Sequence, residues 1–271
     1  PFLRNPVSVP DVDVLITEST YGDRNHPSRE NIMGRIKDYI GFISQHKSKL
    51  IIPAFSVGRT QQILYVLNEL VEHQVIPPIP VYVDSPLSQK ATEIHRNHIE
   101  CFNEKTQALL RSGDDPFRFP GLRFTASVDD SKKLNDAKGP MIIISASGMC
   151  EGGRIQHHLA NAISDPLNII LIAGFQAENT LGRQIVDGKP VVRIFGEEHE
   201  LRATVFTING LSAHADSTGL TQFASSLGSS VKQAFCVHGE PAYCEAHKKS
   251  LEGIGIPQVN IPVTGQLFEN V

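Results

Sequence analysis

The rhythm of the apolar runs is what most constrains this chain. Residues 12–17, 50–53, 80–83, 141–145, 168–173 and 233–237 are short and rich in β-branched side chains. Most are apolar throughout instead of alternating, as expected of sheet strands covered by helices on both faces. Helix-length segments lie between them. In 60–72, Ile63, Val66, Leu67, Leu70 and Val71 recur at the spacing of one helical face. Asp84-Ser85-Pro86 starts another helix, with Ser85 as N-cap and Pro86 at the first helical position, and Pro241 opens a later one. Alternation of this kind predicts an α/β fold with a mainly parallel sheet flanked by helices.

A chain of 271 residues with 40% hydrophobic content can bury a real core, as one large domain or two ordinary ones. The first ten residues do not resemble a signal peptide, and the longest apolar stretches, 141–144 and 169–173, are far too short to cross a bilayer. A cytoplasmic, soluble protein with no membrane partner is expected. Cys101, Cys150, Cys236 and Cys244 show no paired short spacing, so they read as reduced thiols and not as a zinc ribbon or a disulfide framework. A formal charge of -4 offers no global attraction to polyanions, and a nucleic-acid substrate would need a locally basic groove.

Three residues stand where apolar runs give way to small or polar ones. Glu18 follows the first run, at the strand end where open α/β sheets place ligands; it could equally cap the turn through Gly22. His238 ends the run 233–237 and precedes Gly239, whose missing side chain would let a metal or substrate approach. A lone histidine there also reads as a hydrogen-bonded structural residue. His214 has the same two readings, with Asp216 a candidate to orient its ring. A catalytic zinc needs about three protein ligands, and no other His/Asp cluster in the sequence completes such a set.

A second group of residues suits anions. Ser145, Ser147, Gly148 and Arg154 belong to a glycine-rich stretch between a strand and a helix, where backbone N–H groups can receive phosphate and Arg154 adds a forked donor. The stretch matches neither the P-loop nor the dinucleotide fingerprint, and tight packing also accounts for its glycines. Arg59 and Arg183 sit in comparable Gly-Arg entries to helices. The three arginines could line one basic groove, or pair with the abundant carboxylates.

The motifs Glu18-Ser-Thr-Tyr-Gly, Pro53-Ala-Phe-Ser-Val-Gly-Arg59, Val83-Asp-Ser-Pro-Leu87, Ser145-Ala-Ser-Gly-Met149, Thr180-Leu-Gly-Arg183, Ser212-Ala-His-Ala-Asp216 and Val237-His-Gly-Glu240 occur in order over nearly the whole chain. Together they resemble the β-CASP branch of the metallo-β-lactamase superfamily, and within it the RNA-processing nucleases related to the cleavage and polyadenylation endonuclease. The resemblance implies a β-CASP domain over 22–208, flanked by metallo-β-lactamase segments 1–21 and 209–271 of an αββα domain, with RNA cut in the cleft between the two. It makes Glu18 the acidic motif A, His214 the motif B histidine, and His238 the motif C histidine and a zinc ligand; histidine at motif C goes with RNA-acting members.

Family members also carry a His-x-His-x-Asp-His motif upstream of motif A, which is absent from this sequence. The expectation is therefore a chain lacking the N-terminal metal-binding part, which binds zinc weakly or not at all alone and is inactive alone. In the intact enzyme two zinc ions would activate a water for in-line attack on phosphorus. His214, paired with Glu18, would protonate the leaving oxygen. The implied partners are RNA and the upstream part of the same protein, with homodimerisation left open. A non-catalytic β-CASP subunit that binds RNA or acts as a scaffold is the alternative, and a metal-free α/β enzyme acting on small molecules is a third reading. If the basic groove exists, Arg59→Ala or Arg183→Ala weakens RNA binding and flattens its salt dependence; a salt slope equal to wild type rejects the groove.

Overall fold

The computed structural model describes residues 2–7, 9–208 and 210–268. In chain order the elements are β1 (Val14–Glu18), α1 (Arg29–His46), β2 (Lys49–Pro53), α2 (Arg59–Glu72), β3 (Val81–Asp84), α3 (Pro86–Asn97), α4 (Glu104–Arg111), β4 (Leu122–Phe124), α5 (Val128–Asp136), β5 (Met141–Ser145), α6 (Arg154–Ala162), β6 (Ile169–Ile172), α7 (Leu181–Val186), β7 (Val191–Ile194), β8 (Glu197–Glu200), β9 (Thr204–Thr207), α8 (Ser217–Ser226), β10 (Gln233–Val237), α9 (Pro241–Gly253) and β11 (Gln258–Asn260). They form two compact units, one from 1–4 and 27–212, the other from 5–26 and 213–271. Among the described residues no helix is long and apolar enough to cross a membrane.

The larger unit is built on a six-stranded sheet in the order β4-β3-β5-β2-β6-β9, with every pairing parallel. Its central strands are apolar throughout because alternate residues serve two cores. Leu50, Ile52, Ile142, Ile144, Val81 and Val83 face one cluster together with Ile63, Leu64 and Leu67 of α2. Ile51, Met141, Ile143, Ile170 and Ile172 face another, with Ile155 and Leu159 of α6. All six expected strands form, and Ser85 caps α3 by accepting from the Ser88 N–H at 3.2 Å.

The crossover from β2 runs through α2 to β3, and that from β5 runs through α6 to β6. These connections leave the adjacent strands β2 and β5 in opposite directions, on opposite faces of the sheet. Such a topological switch point opens a crevice at the carboxyl ends of the two strands. Loops 54–58 and 146–153 flank it.

A buried polar network fixes the end of β3 beside this crevice. The Asp84 side chain is fully buried and pairs with Arg154 Nη1 and with His158 Nε2, both at 2.6 Å. Ser131 Oγ donates to the same carboxylate at 2.5 Å, and Arg154 Nη1 also donates to the Thr125 carbonyl at 3.1 Å. Burial pushes the Asp84 pKa up, but the bonds from His158, Ser131 and Arg154 outweigh it and hold the carboxyl below its ordinary value. A pKa lowered on folding adds stability that is complete above the unfolded value near 3.8 and is lost as pH falls through it to the lower folded value. Asp84→Asn leaves Arg154 and His158 facing a neutral partner and should cost about 3–5 kcal/mol at neutral pH, with the gap closing in acid. Denaturant unfolding checks this, and a loss below about 1 kcal/mol at neutral pH contradicts it.

Candidate active site

The smaller unit holds a three-stranded parallel sheet in the order β1-β10-β11. Leu15, Ala234, Cys236 and Val259 cover one face together with Ala224 of α8 and Cys244 and Leu251 of α9. In the β1–β10 register Glu18 lies opposite Val237, so both strands end together and their following loops, Ser19-Thr20 and His238-Gly239, become neighbours. A Cβ on Gly239 would stand 2.8 Å from the Ser19 carbonyl oxygen. The glycine is thus required by the approach of two strand ends, a closer constraint than access for a ligand. His238 itself has φ +53, in the left-handed region that L residues seldom adopt.

Glu18 Oε2 accepts from His214 Nδ1 at 2.6 Å. The turn at Gly22 is closed by its own N–H donating to the Ser19 carbonyl at 3.1 Å, which leaves the Glu18 carboxylate for the histidine. Asp216 does not orient the His214 ring: it caps α8 by accepting from the Gly219 N–H at 2.8 Å and accepts from the His26 N–H at 3.0 Å. The ring is placed instead from behind its backbone, where His26 Nε2 donates to the His214 carbonyl at 3.0 Å. His214 and His238 stack with centroids 5.4 Å apart and planes 27° apart.

Glu18, His214 and His238 each offer one ligand atom, and these atoms lie within 4.8 Å of one another, the one such group among the described residues. Two imidazoles and a carboxylate suit zinc chemically. The carboxylate is already bonded to His214, however, and His238 is exposed, so His238 is the member best placed to hold an ion. In α9, His247 is fully buried with neither ring nitrogen hydrogen-bonded. Burial pushes its pKa down despite the pull of Glu18, so it brings no positive charge to the neighbourhood of that carboxylate. A histidine inside a helix gave no sequence signal of this.

The anion-suited residues gather in the larger unit, around the switch-point crevice. Ser145 Oγ donates to the Asp84 carbonyl at 2.8 Å, and Ser147 Oγ is buried without a hydrogen-bond partner. A Cβ on Gly148 would lie 2.7 Å from the Phe55 ring, which ties loop 146–153 to loop 54–58. The Arg59 guanidinium lies against Gly174, where a Cβ would stand 3.1 Å from Nη1. Arg183 Nε donates to Asp187 at 2.9 Å, and Arg154 is held by Asp84. Pairing of arginine with carboxylate, open at the level of sequence, is thus realised for these two. The cysteines are free; burial pushes Cys150 up to about 12 and Cys236 up to about 11.

Two family models match the chain. Residues 60–185 match the Beta-Casp domain family, and residues 198–262 match the Zn-dependent metallo-hydrolase RNA specificity domain family. The chain belongs to the β-CASP branch of the metallo-β-lactamase superfamily. It is 38% identical over 239 residues to Ribonuclease TTHA0252 of Thermus thermophilus, covering 88% of this chain and 54% of that protein. It is 31% identical over 262 residues to Transcription termination factor FttA of Methanocaldococcus jannaschii, covering 94% and 41%. An RNase J-like protein of the same archaeon is 32% identical over 234 residues, covering 86% and 53%. The chain thus spans about half the length of the curated relatives it matches.

Because the site depends on the approach of two strand ends, Gly239→Ala should force them apart and cost about 1–3 kcal/mol, the usual penalty of overpacking. A denaturation midpoint equal to wild type would contradict the close approach.

Proposed function

We propose that this chain forms part of a cytoplasmic, zinc-dependent ribonuclease that hydrolyses RNA phosphodiester bonds. The observation that carries the reading is the 2.6 Å Glu18–His214 pair stacked beside an exposed His238, at coterminous strand ends, in a chain matching a Zn-dependent metallo-hydrolase family. Zinc, bound as a pair of ions in the whole enzyme, supplies activation of the attacking water and charge stabilisation at phosphorus. His238 would hold one ion through its imidazole. Glu18 accepts from His214 Nδ1–H, which fixes the ring and directs Nε2 as the atom that passes a proton to the leaving oxygen.

RNA binding falls to the strand-end loops of the larger unit. Gly148 brings backbone to the phosphates, and Ser147 holds the loop through its N–H bond to the Gly152 carbonyl. Arg59 adds positive charge, Arg183 acts beside its partner Asp187, and Ser145 and Arg154 hold the loops through Asp84. In the full-length protein, His214→Ala lowers RNA cleavage about 10²–10⁴-fold with zinc retained. His238→Ala lowers zinc content and cleavage together. Cleavage unchanged in either variant refutes the assigned roles, and wild-type protein that binds RNA without cutting it supports the non-catalytic subunit instead.

A further inference from the structure

Thr20 lies between the two histidines and is almost completely buried. Its Oγ1 is 3.1 Å from the His238 carbonyl oxygen, 3.2 Å from His238 Nδ1 and 3.5 Å from His214 Nδ1. A hydroxyl has one proton to give. The carbonyl can only accept, so that proton goes to the His238 carbonyl, and towards the His238 ring the same oxygen must accept. His238 Nδ1 therefore carries a hydrogen. A neutral imidazole has one N–H, which leaves Nε2 of His238 with its lone pair bare.

The same accounting holds at His214. Its Nδ1 faces the Glu18 carboxylate at 2.6 Å and donates there, so Thr20 gives it no proton. The bond from Thr20 to the His238 carbonyl also secures a backbone held at φ +53. One side chain thus grips both the main chain and the ring of the same histidine.

We infer that Thr20 is a positioning residue that sets His238 in the Nδ1–H tautomer and so presents Nε2 as the metal-binding nitrogen. The inference rests on the zinc-hydrolase reading only for what Nε2 ligates. Ligating histidines are commonly oriented by a hydrogen bond at the other ring nitrogen, and loss of such a partner typically weakens metal binding 10–100-fold.

Tautomers are read directly from the ring nitrogens of ¹⁵N-histidine-labelled, metal-free chain by long-range proton–nitrogen correlation at about pH 8.5, well above the ordinary imidazole value of about 6.5. Wild type should show His238 protonated at Nδ1. Thr20→Val should shift the ring towards Nε2–H, and Thr20→Ser, which keeps the hydroxyl, should restore it. In the full-length protein, zinc affinity measured by chelator competition should fall about 10–100-fold in Thr20→Val and recover in Thr20→Ser. An Nε2–H ring in wild type overturns the proposal, and that spectrum suffices even should Thr20→Val not fold. A tautomer unchanged in Thr20→Val, or zinc affinity unchanged when the tautomer shifts, also overturns it. RNA cleavage is not read, so failure of the nuclease reading and failure of this inference are told apart.

Discussion

Glu18 and His238 come from opposite ends of the chain and meet because β1 pairs in parallel with β10, with Glu18 opposite Val237. A slip of one residue would move one strand end by about 3.3 Å relative to the other and turn its side chains to the opposite face. What prevents the slip is the core. Leu15 and Thr17 are buried while Ile16 between them is exposed, and Ala234 and Cys236 fill the same apolar layer as Leu15. Packing remote from any chemistry thus sets Glu18 and Thr20 beside His238, and the His26 bond to the His214 carbonyl sets His214 against the Glu18 carboxylate.

The larger unit applies the same logic on a broader scale. Its strands spend alternate residues on two cores, so helices lie on both faces and the connections diverge at β2 and β5. Polar and glycine-rich loops then fall at the divergence, where a ligand finds backbone N–H groups and space. Asp84 anchors that end of the sheet. It holds the first residue of α6 through Arg154 and the middle of the same helix through His158, so the loop before α6 is fixed from beyond its own C-terminal end.

Much of this was legible in the sequence. Runs such as 141–145 declared buried strands, Ser85-Pro86 declared a helix start, and the order of the motifs pointed to the family. Register was not legible, because pairing β1 with β10 depends on a core assembled from both ends of the chain. The hairpin of β7 and β8 escaped notice for a different reason: β8, Glu-Glu-His-Glu, is largely solvated and carries no apolar pattern. Nothing in the sequence set His158 apart, and only its burial against Asp84 reveals its role. Arg154 and Arg183 read equally well as phosphate donors or as carboxylate partners, since the choice turns on which acid lies within reach in space. Thr20 was visible only as one letter of a motif; its importance depends on three distances that no spacing encodes.

The central claim is that Glu18 and His214 act as one unit within the site. A double-mutant cycle of Glu18→Gln and His214→Ala on the RNA cleavage rate of the full-length protein tests it most directly. The account predicts strong non-additivity, with the double variant little slower than His214→Ala alone. Rate losses that simply multiply would contradict it, because they would mean the two side chains contribute independently.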